Sequence, residues 1–143
     1  MRWLVLIAAL LPTAAMSQDV AVGEREFNKC KVCHAIVDDK GTVIVKGGKT
    51  GPDLWGIVGR KAGAEDGYPY SKALKALGEA GQVWTVEDLA AYVTDPNKFV
   101  ADKTGDPKLR TKMTFRLRRN QADLAAFLAA NSPGVETSAT TAP

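Results

Sequence analysis

The stretch of this chain best equipped for chemistry is Cys30-Lys31-Val32-Cys33-His34: two thiols one helical turn apart, followed at once by an imidazole. Thiols so spaced can close a disulfide, share a metal ion, or form thioethers with the two vinyl groups of one porphyrin while the next histidine is aimed at the iron. The rest of the chain narrows the choice. It holds 2 Cys and 1 His, so a closed structural zinc site of Cys and His lacks ligands. A disulfide would leave His34 idle. A thioredoxin-like pair expects flanking strands, whereas the residues before Cys30 repeat with helical periodicity. Covalent attachment of one haem through Cys30 and Cys33, with His34 as an iron ligand, uses all three side chains.

A porphyrin iron has a second axial face, and a second histidine does not exist to fill it. Of the 3 Met, Met1 and Met16 fall in an expected leader, which leaves Met113 in a long downstream loop. A neutral thioether favours ferrous iron and raises the potential, and axial ligation moves haem potentials over about 0.8 V. An iron held by His34 and Met113 has no open position, so the expected function is transport of single electrons rather than an enzyme reaction. In the competing reading Met113 is a packing residue beside a five-coordinate haem, and the chain is a haem peroxidase or small-molecule sensor. A third possibility is a haem subunit locked into a larger complex.

Several elements must position these groups. Asp19 can cap a helix through Val20, Gly23, Phe27 and Cys30, which puts Cys30 and Cys33 on one face. The glycine-dense stretch from Ala35 to Pro69 reads as loop, with a short extended piece at Thr42–Val45. Ser71 caps a helix through Leu77 that Gly78 ends. Thr85, with Asp88, opens a helix bearing Leu89, Tyr92 and Val93. Asp95 caps the next, with Pro96 as its first residue. Asp102–Arg119 reads as a second long, basic loop. Asn120 caps the last helix, whose stripe is Leu124, Phe127 and Leu128, and Ser132-Pro133-Gly134 stops it. Two long loops in a compact domain are unusual unless they wrap a large cofactor. The fold class expected is therefore all-α, several helices and long loops around one covalently bound haem.

Outside that domain, residues 1–17 read as a cleaved signal peptide: a basic start, the apolar run Trp3–Leu11, Pro12, and small residues Ala15 and Ser17 at the cleavage positions. The run is too short to span a bilayer, which takes roughly 20 residues. The domain proper is expected over 18–131, and 132–143 as a disordered Ser/Thr/Ala/Pro tail. The net charge of +3 suits an acidic protein surface better than nucleic acid, for which no recognition motif is present. Lys29 and Lys31 flank the attachment site. Lys108, Arg110, Lys112, Arg116, Arg118 and Arg119 crowd the Met113 loop. They form either a docking rim or simply a solvated basic face.

Taken in order along the chain, these features resemble a class I cytochrome c, and closely the bacterial cytochrome c2 group. The match runs through Gly23 and Phe27, the haem motif, Thr50-Gly51-Pro52-Asp53-Leu54, Gly59-Arg60, Tyr70, Trp84, Tyr92 with Asp95-Pro96, Thr111-Lys112-Met113-Thr114-Phe115, and Leu124 with Phe127. The resemblance implies that the Pro52 carbonyl accepts the ring N–H of His34. It implies that Arg60, Tyr70 and Trp84 hold a haem propionate, that Tyr92 and Thr111 lie near the Met113 sulfur and the other propionate, and that Phe115 covers the exposed haem edge. On residue type alone Trp84 and Tyr92 read as core and Arg60 as solvated. The resemblance also implies a soluble, monomeric, periplasmic carrier. Its electrons would come from a cytochrome bc1 complex and go to a photosynthetic reaction centre or a terminal oxidase in photosynthesis or a respiratory chain. The segments around Asp38–Lys49 and Val100–Arg110 are longer than in short mitochondrial-type members.

Overall fold

The computed structural model describes residues 18–134. The expected signal peptide, and the tail beyond Gly134, lie outside the described residues. The order of elements is α1 (Val20–Phe27), β1 (Ile36–Val37), β2 (Val43–Val45), α2 (Lys72–Glu79), α3 (Val86–Thr94), α4 (Pro96–Thr104) and α5 (Gln121–Ala130). The fold is mostly helical, as the periodicity implied.

Asp19 starts α1 by accepting from the backbone N–H of Ala21 and Val22 at 2.9 and 3.1 Å. Such a cap is worth about 1 kcal/mol. A glycine inside a helix gives back a similar amount, and Gly23 stands there because α5 leaves no room. A Cβ at that position would collide with the Asp123 carbonyl and meet the Phe127 Cβ at 2.7 Å. Below this contact the rings of Phe27 and Phe127 lie 5.5 Å apart. The α1–α5 contact is the foundation on which the haem-attachment motif stands.

The expected helix through Cys30 is corrected: α1 closes at Phe27, with Asn28 as its C-terminal cap. Beyond it the chain tightens into turns. The Cys30 and Cys33 N–H groups reach back three residues to Phe27 and Cys30 carbonyls, at 2.8 and 3.1 Å. Three-residue spacing brings side chains i and i+3 into register, so the two thiols still share a side.

Three further boundaries differ from the sequence reading. Gly78 does not end α2, which runs to Glu79; glycine is needed there because a Cβ would strike the Ala62 carbonyl. Asp102 does not begin a loop, because α4 runs to Thr104 and closes on Gly105 in the left-handed region, φ 73. Asn120 does not cap α5 with its side chain. It sits at φ 58, ψ 30, and its amide points elsewhere. The extended piece at 43–45 is present, and it pairs antiparallel with Ile36–Val37, a partner the sequence reading lacked. Asp38 closes the hairpin by accepting from the N–H of Lys40 and Thr42 at 2.9 and 2.8 Å.

The remaining helices close the other side. Ser71, Thr85 and Asp95 cap α2, α3 and α4 through Leu74, Asp88 and Lys98 N–H respectively. Helix α3 packs on both α4 and α5. The core is continuous from Phe27 and Leu124 through Leu89 and Val93 to Leu77 and Val100. Among the described residues, no helix is long and apolar enough to cross a membrane.

Candidate functional site

The two long loops face one another across a cavity of about 570 Å3, within the roughly 300–1,000 Å3 range that encloses a cofactor-sized molecule. Its walls bring together Cys30, Cys33, His34, Pro52, Arg60, Tyr70, Trp84, Tyr92 and Met113. Thr111 is the exception among the residues singled out from sequence. It lies buried behind the wall, its N–H given to Asn97 Oδ1 at 2.9 Å and its hydroxyl to the Met113 carbonyl at 2.6 Å.

One side of the cavity is built by the attachment turns and the 47–54 segment. The Gly51 N–H reaches the Cys33 carbonyl at 2.8 Å and the Leu54 N–H reaches Ala35 at 3.1 Å. This sets Pro52 beside the imidazole, and His34 Nδ1 lies 2.7 Å from the Pro52 carbonyl oxygen. A carbonyl can only accept, so Nδ1 carries the proton and Nε2 keeps a free lone pair. Burial holds the imidazole below its usual pKa, although Pro52 and Asp53 oppose that shift. A neutral ring with an available Nε2 is the state that ligates a metal.

The thiols are free rather than bonded to each other, Cys30 half-buried and Cys33 exposed. Burial, with help from Glu26, pushes the Cys30 thiol up to about 11. That is opposite to the depressed thiol of a disulfide oxidoreductase. Among the described residues there is also no group of three or more His, Cys, Asp or Glu that could hold another metal ion.

The lower wall is organised by a short backbone exchange. Gly59 N–H reaches the Trp84 carbonyl at 2.7 Å and Trp84 N–H reaches Arg60 at 2.9 Å, so Arg60 and Trp84 enter the cavity side by side. Arg60 is anchored rather than freely solvated: its Nη2 donates to the Asp53 carbonyl at 2.7 Å. Trp84, 4% exposed, stacks on Phe99 at 5.6 Å and meets Tyr92 edge-on at 5.0 Å. The core reading of Trp84 and Tyr92 and their place on the cavity wall are therefore both true. Burial raises the Tyr92 phenol to about 12, with the Thr111 hydroxyl beside it pulling back.

Tyr68 escaped the sequence reading, and Lys112 has a contact that the sequence did not show. Tyr68 donates its hydroxyl to the Thr50 carbonyl at 2.6 Å and packs against Tyr70 at 4.7 Å. The Tyr68-Pro69-Tyr70 run was a usable signal for it. Lys112, expected as a basic residue of the Met113 loop, donates Nζ to the Pro69 carbonyl at 2.6 Å. That bond ties the Met113 loop to the 68–70 loop across the cavity. At the rim, Phe115 is 42% and Val32 75% exposed. Of the basic side chains, Lys29 and Lys112 both reach this cavity, while Arg116 pairs with Asp95 at 3.2 Å.

No family model matches the chain. Individual relatives do. It is 55% identical over 117 residues to cytochrome c-550 of Paracoccus pantotrophus, spanning 80% of this chain and 87% of the relative. It is 49% identical over 122 residues to cytochrome c2 of Rhodobacter capsulatus, spanning 85% and 89%. The chain belongs to the cytochrome c2 and c-550 family.

The solved structure of cytochrome c2 from Paracoccus denitrificans superposes with a TM-score of 0.81 at 50% identity, over 83% of this chain and 100% of that one. The cytochrome c fold is thus established together with its cofactor: one haem c, covalent through Cys30 and Cys33. The cavity suits that group, since its wall is chiefly apolar, its two thiols share a side, and the His34 Nε2 is left free by Pro52. As a cytochrome of this family the protein is an electron carrier and not an enzyme.

Proposed function

We propose that this cytochrome is a soluble periplasmic carrier whose iron is held by His34 and Met113, moving one electron at a time from a cytochrome bc1 complex to a photosynthetic reaction centre or terminal oxidase. The observation that carries the reading is that His34 and Met113 line the same cavity as both attachment cysteines. When bound, the haem supplies a reversible one-electron iron couple. The chain supplies the rest. Pro52 orients the imidazole and raises its basicity. Thr111 fixes the backbone of Met113 from behind. The apolar wall from Phe27 to Leu128 excludes water, which limits the solvent rearrangement that accompanies a change of charge.

Arg60, Tyr70 and Trp84 are proposed to hold one propionate, and Tyr92 to serve the other and the Met113 sulfur; Thr111, expected there as well, instead gives its hydroxyl to the Met113 carbonyl from behind the wall. Phe115, on the rim, would shield the haem edge. The mature domain is taken to begin at residue 18, following removal of residues 1–17, and to extend past the expected boundary at 131, because Ser132 is buried and its hydroxyl accepts from the Val58 N–H at 3.1 Å. Lys29 and Lys112 at the mouth, with Lys31, Lys108, Arg110, Arg118 and Arg119, would steer the carrier to acidic surfaces.

Carbon monoxide added to the reduced protein tests the ligand set. With both axial positions filled by the chain, binding is slow and weak. Fast, tight binding would favour an open iron, and with it a sensor or peroxidase.

A further inference from the structure

Glu26 is one turn before Cys30 and nearly buried, at 7% exposed. Nothing in the proposed ligand set uses it. One carboxylate oxygen, Oε2, accepts from Lys29 Nζ at 2.5 Å, and the other, Oε1, accepts from Asn120 Nδ2 at 3.0 Å. Asn120 is the residue at which the Met113 loop ends and α5 begins. It holds φ 58, makes no side-chain cap bond to its own helix, and spends its amide on Glu26 instead. A non-glycine residue in the left-handed region persists where its surroundings demand it. Asn enters that region more readily than most residues, and in it the Asn120 amide reaches a carboxylate on another helix.

The loop has other fastenings, and they point elsewhere. Thr111 is tied to Asn97, Lys112 to Pro69, and the Leu117 N–H to the Val93 carbonyl at 2.7 Å. These join the loop to α4, to the 68–70 loop and to α3. The Glu26–Asn120 bond joins it to α1, the helix that leads into the cysteine turns. We propose that Glu26 is a positioning residue that clamps the far end of the Met113 loop, through Asn120, to the haem-attachment side of the cavity. The clamp keeps Met113 from swinging away from its partner wall. Lys29 neutralises the buried carboxylate without itself crossing to the loop. The inference rests on the proposed His34/Met113 ligation.

The test is the rate at which imidazole displaces the sulfur ligand in the intact ferric cytochrome, followed through the sulfur-to-iron absorption band. Asn120→Gly suits the observed φ and removes only the amide. Glu26→Ala removes its acceptor. Each is expected to speed displacement about tenfold, the size of one lost hydrogen bond to a charged group. The double variant is expected to be no faster than either single one, because both changes break the same bond. Glu26→Gln keeps the volume but has one acceptor oxygen for the two donors Lys29 and Asn120, so it is expected to speed displacement as well, by less than Glu26→Ala, whereas a purely volumetric role would leave it at the parent rate. Parent rates in both Asn120→Gly and Glu26→Ala, with the band present, would overturn the clamp alone. Absence of the band from the parent protein would overturn the ligation reading and the clamp with it.

Discussion

His34 gives its Nδ1 proton to the carbonyl of Pro52 across 2.7 Å, and Gly51, the residue before that proline, approaches the same ring so closely that a Cβ there would collide with it. The imidazole is therefore fixed twice by backbone. The hydrogen bond selects the tautomer, and the missing side chain of Gly51 provides the space.

Gly51→Ala should be poorly tolerated. Its Cβ would come within 2.6 Å of Nδ1 and 2.7 Å of Nε2, and forcing extra volume into a packed site costs about 1–3 kcal/mol. The expected outcome is a lower denaturant midpoint and a reduced yield of haem-bearing protein. A parent-like midpoint would mean that the ring is free to move.

Gly23→Ala gives a test in which two effects have opposite sign. In an isolated helix this change stabilises by up to about 1 kcal/mol. At the α1–α5 contact the new methyl would collide with the Asp123 carbonyl, and we expect a net loss of about 1–2 kcal/mol, read from guanidinium unfolding. A gain in stability would show that the helices can part without cost.

Met113→Ala should leave the haem attached, since Cys30 and Cys33 are untouched. The potential is expected to fall by about 0.1–0.3 V, within the roughly 0.8 V range over which axial ligands act, and the iron should now bind carbon monoxide readily. An unchanged potential would remove Met113 from the ligand set.

Glu26 should make stability depend on acid. Lys29 and Asn120, with Arg119 more distantly, hold its carboxyl below the usual value of 4.5, against the pull of burial. A lowered carboxyl stabilises the fold fully above the unfolded value and loses that contribution as pH falls through the folded one. The melting temperature of Glu26→Gln should therefore lie below the parent at pH 7, and the gap should close towards pH 3. A gap that widens in acid would mean that the charge opposes folding.

Transfer to an acidic redox partner should slow steeply with added salt, because the basic side chains at the cavity mouth act over a Debye length of about 10 Å at 0.1 M. Stopped-flow rates that stay flat from low to high ionic strength would leave Lys29, Lys31 and Lys112 as solvated charges with no docking role.

How much was legible in the sequence follows from the range of each interaction. Asp19, Ser71, Thr85 and Asp95 act on N–H groups two or three residues ahead, and all four were readable as caps. Asn120 has the same side-chain chemistry but a partner 94 residues away, and nothing local distinguishes it from a cap. Gly78 looked like a helix terminator for the same reason, since the Ala62 carbonyl it accommodates belongs to a distant turn. The attachment motif was legible because Cys30, Cys33 and His34 are adjacent. Met113 was reached by elimination, and the structure puts it on the cavity wall, while its ligation of the iron is the proposal made above. The partners of Arg60 and Tyr68 are backbone carbonyls, which carry no residue-type signal, and those contacts needed coordinates.

The most direct measurement is a redox titration of the mature protein followed by visible absorption. One haem gripped by His34 and Met113 predicts a single one-electron transition at a positive potential, a sulfur-to-iron band in the oxidised form, and a pigment that acid acetone fails to extract. A low-potential couple without that band, or a haem that acid acetone strips from the chain, would contradict it.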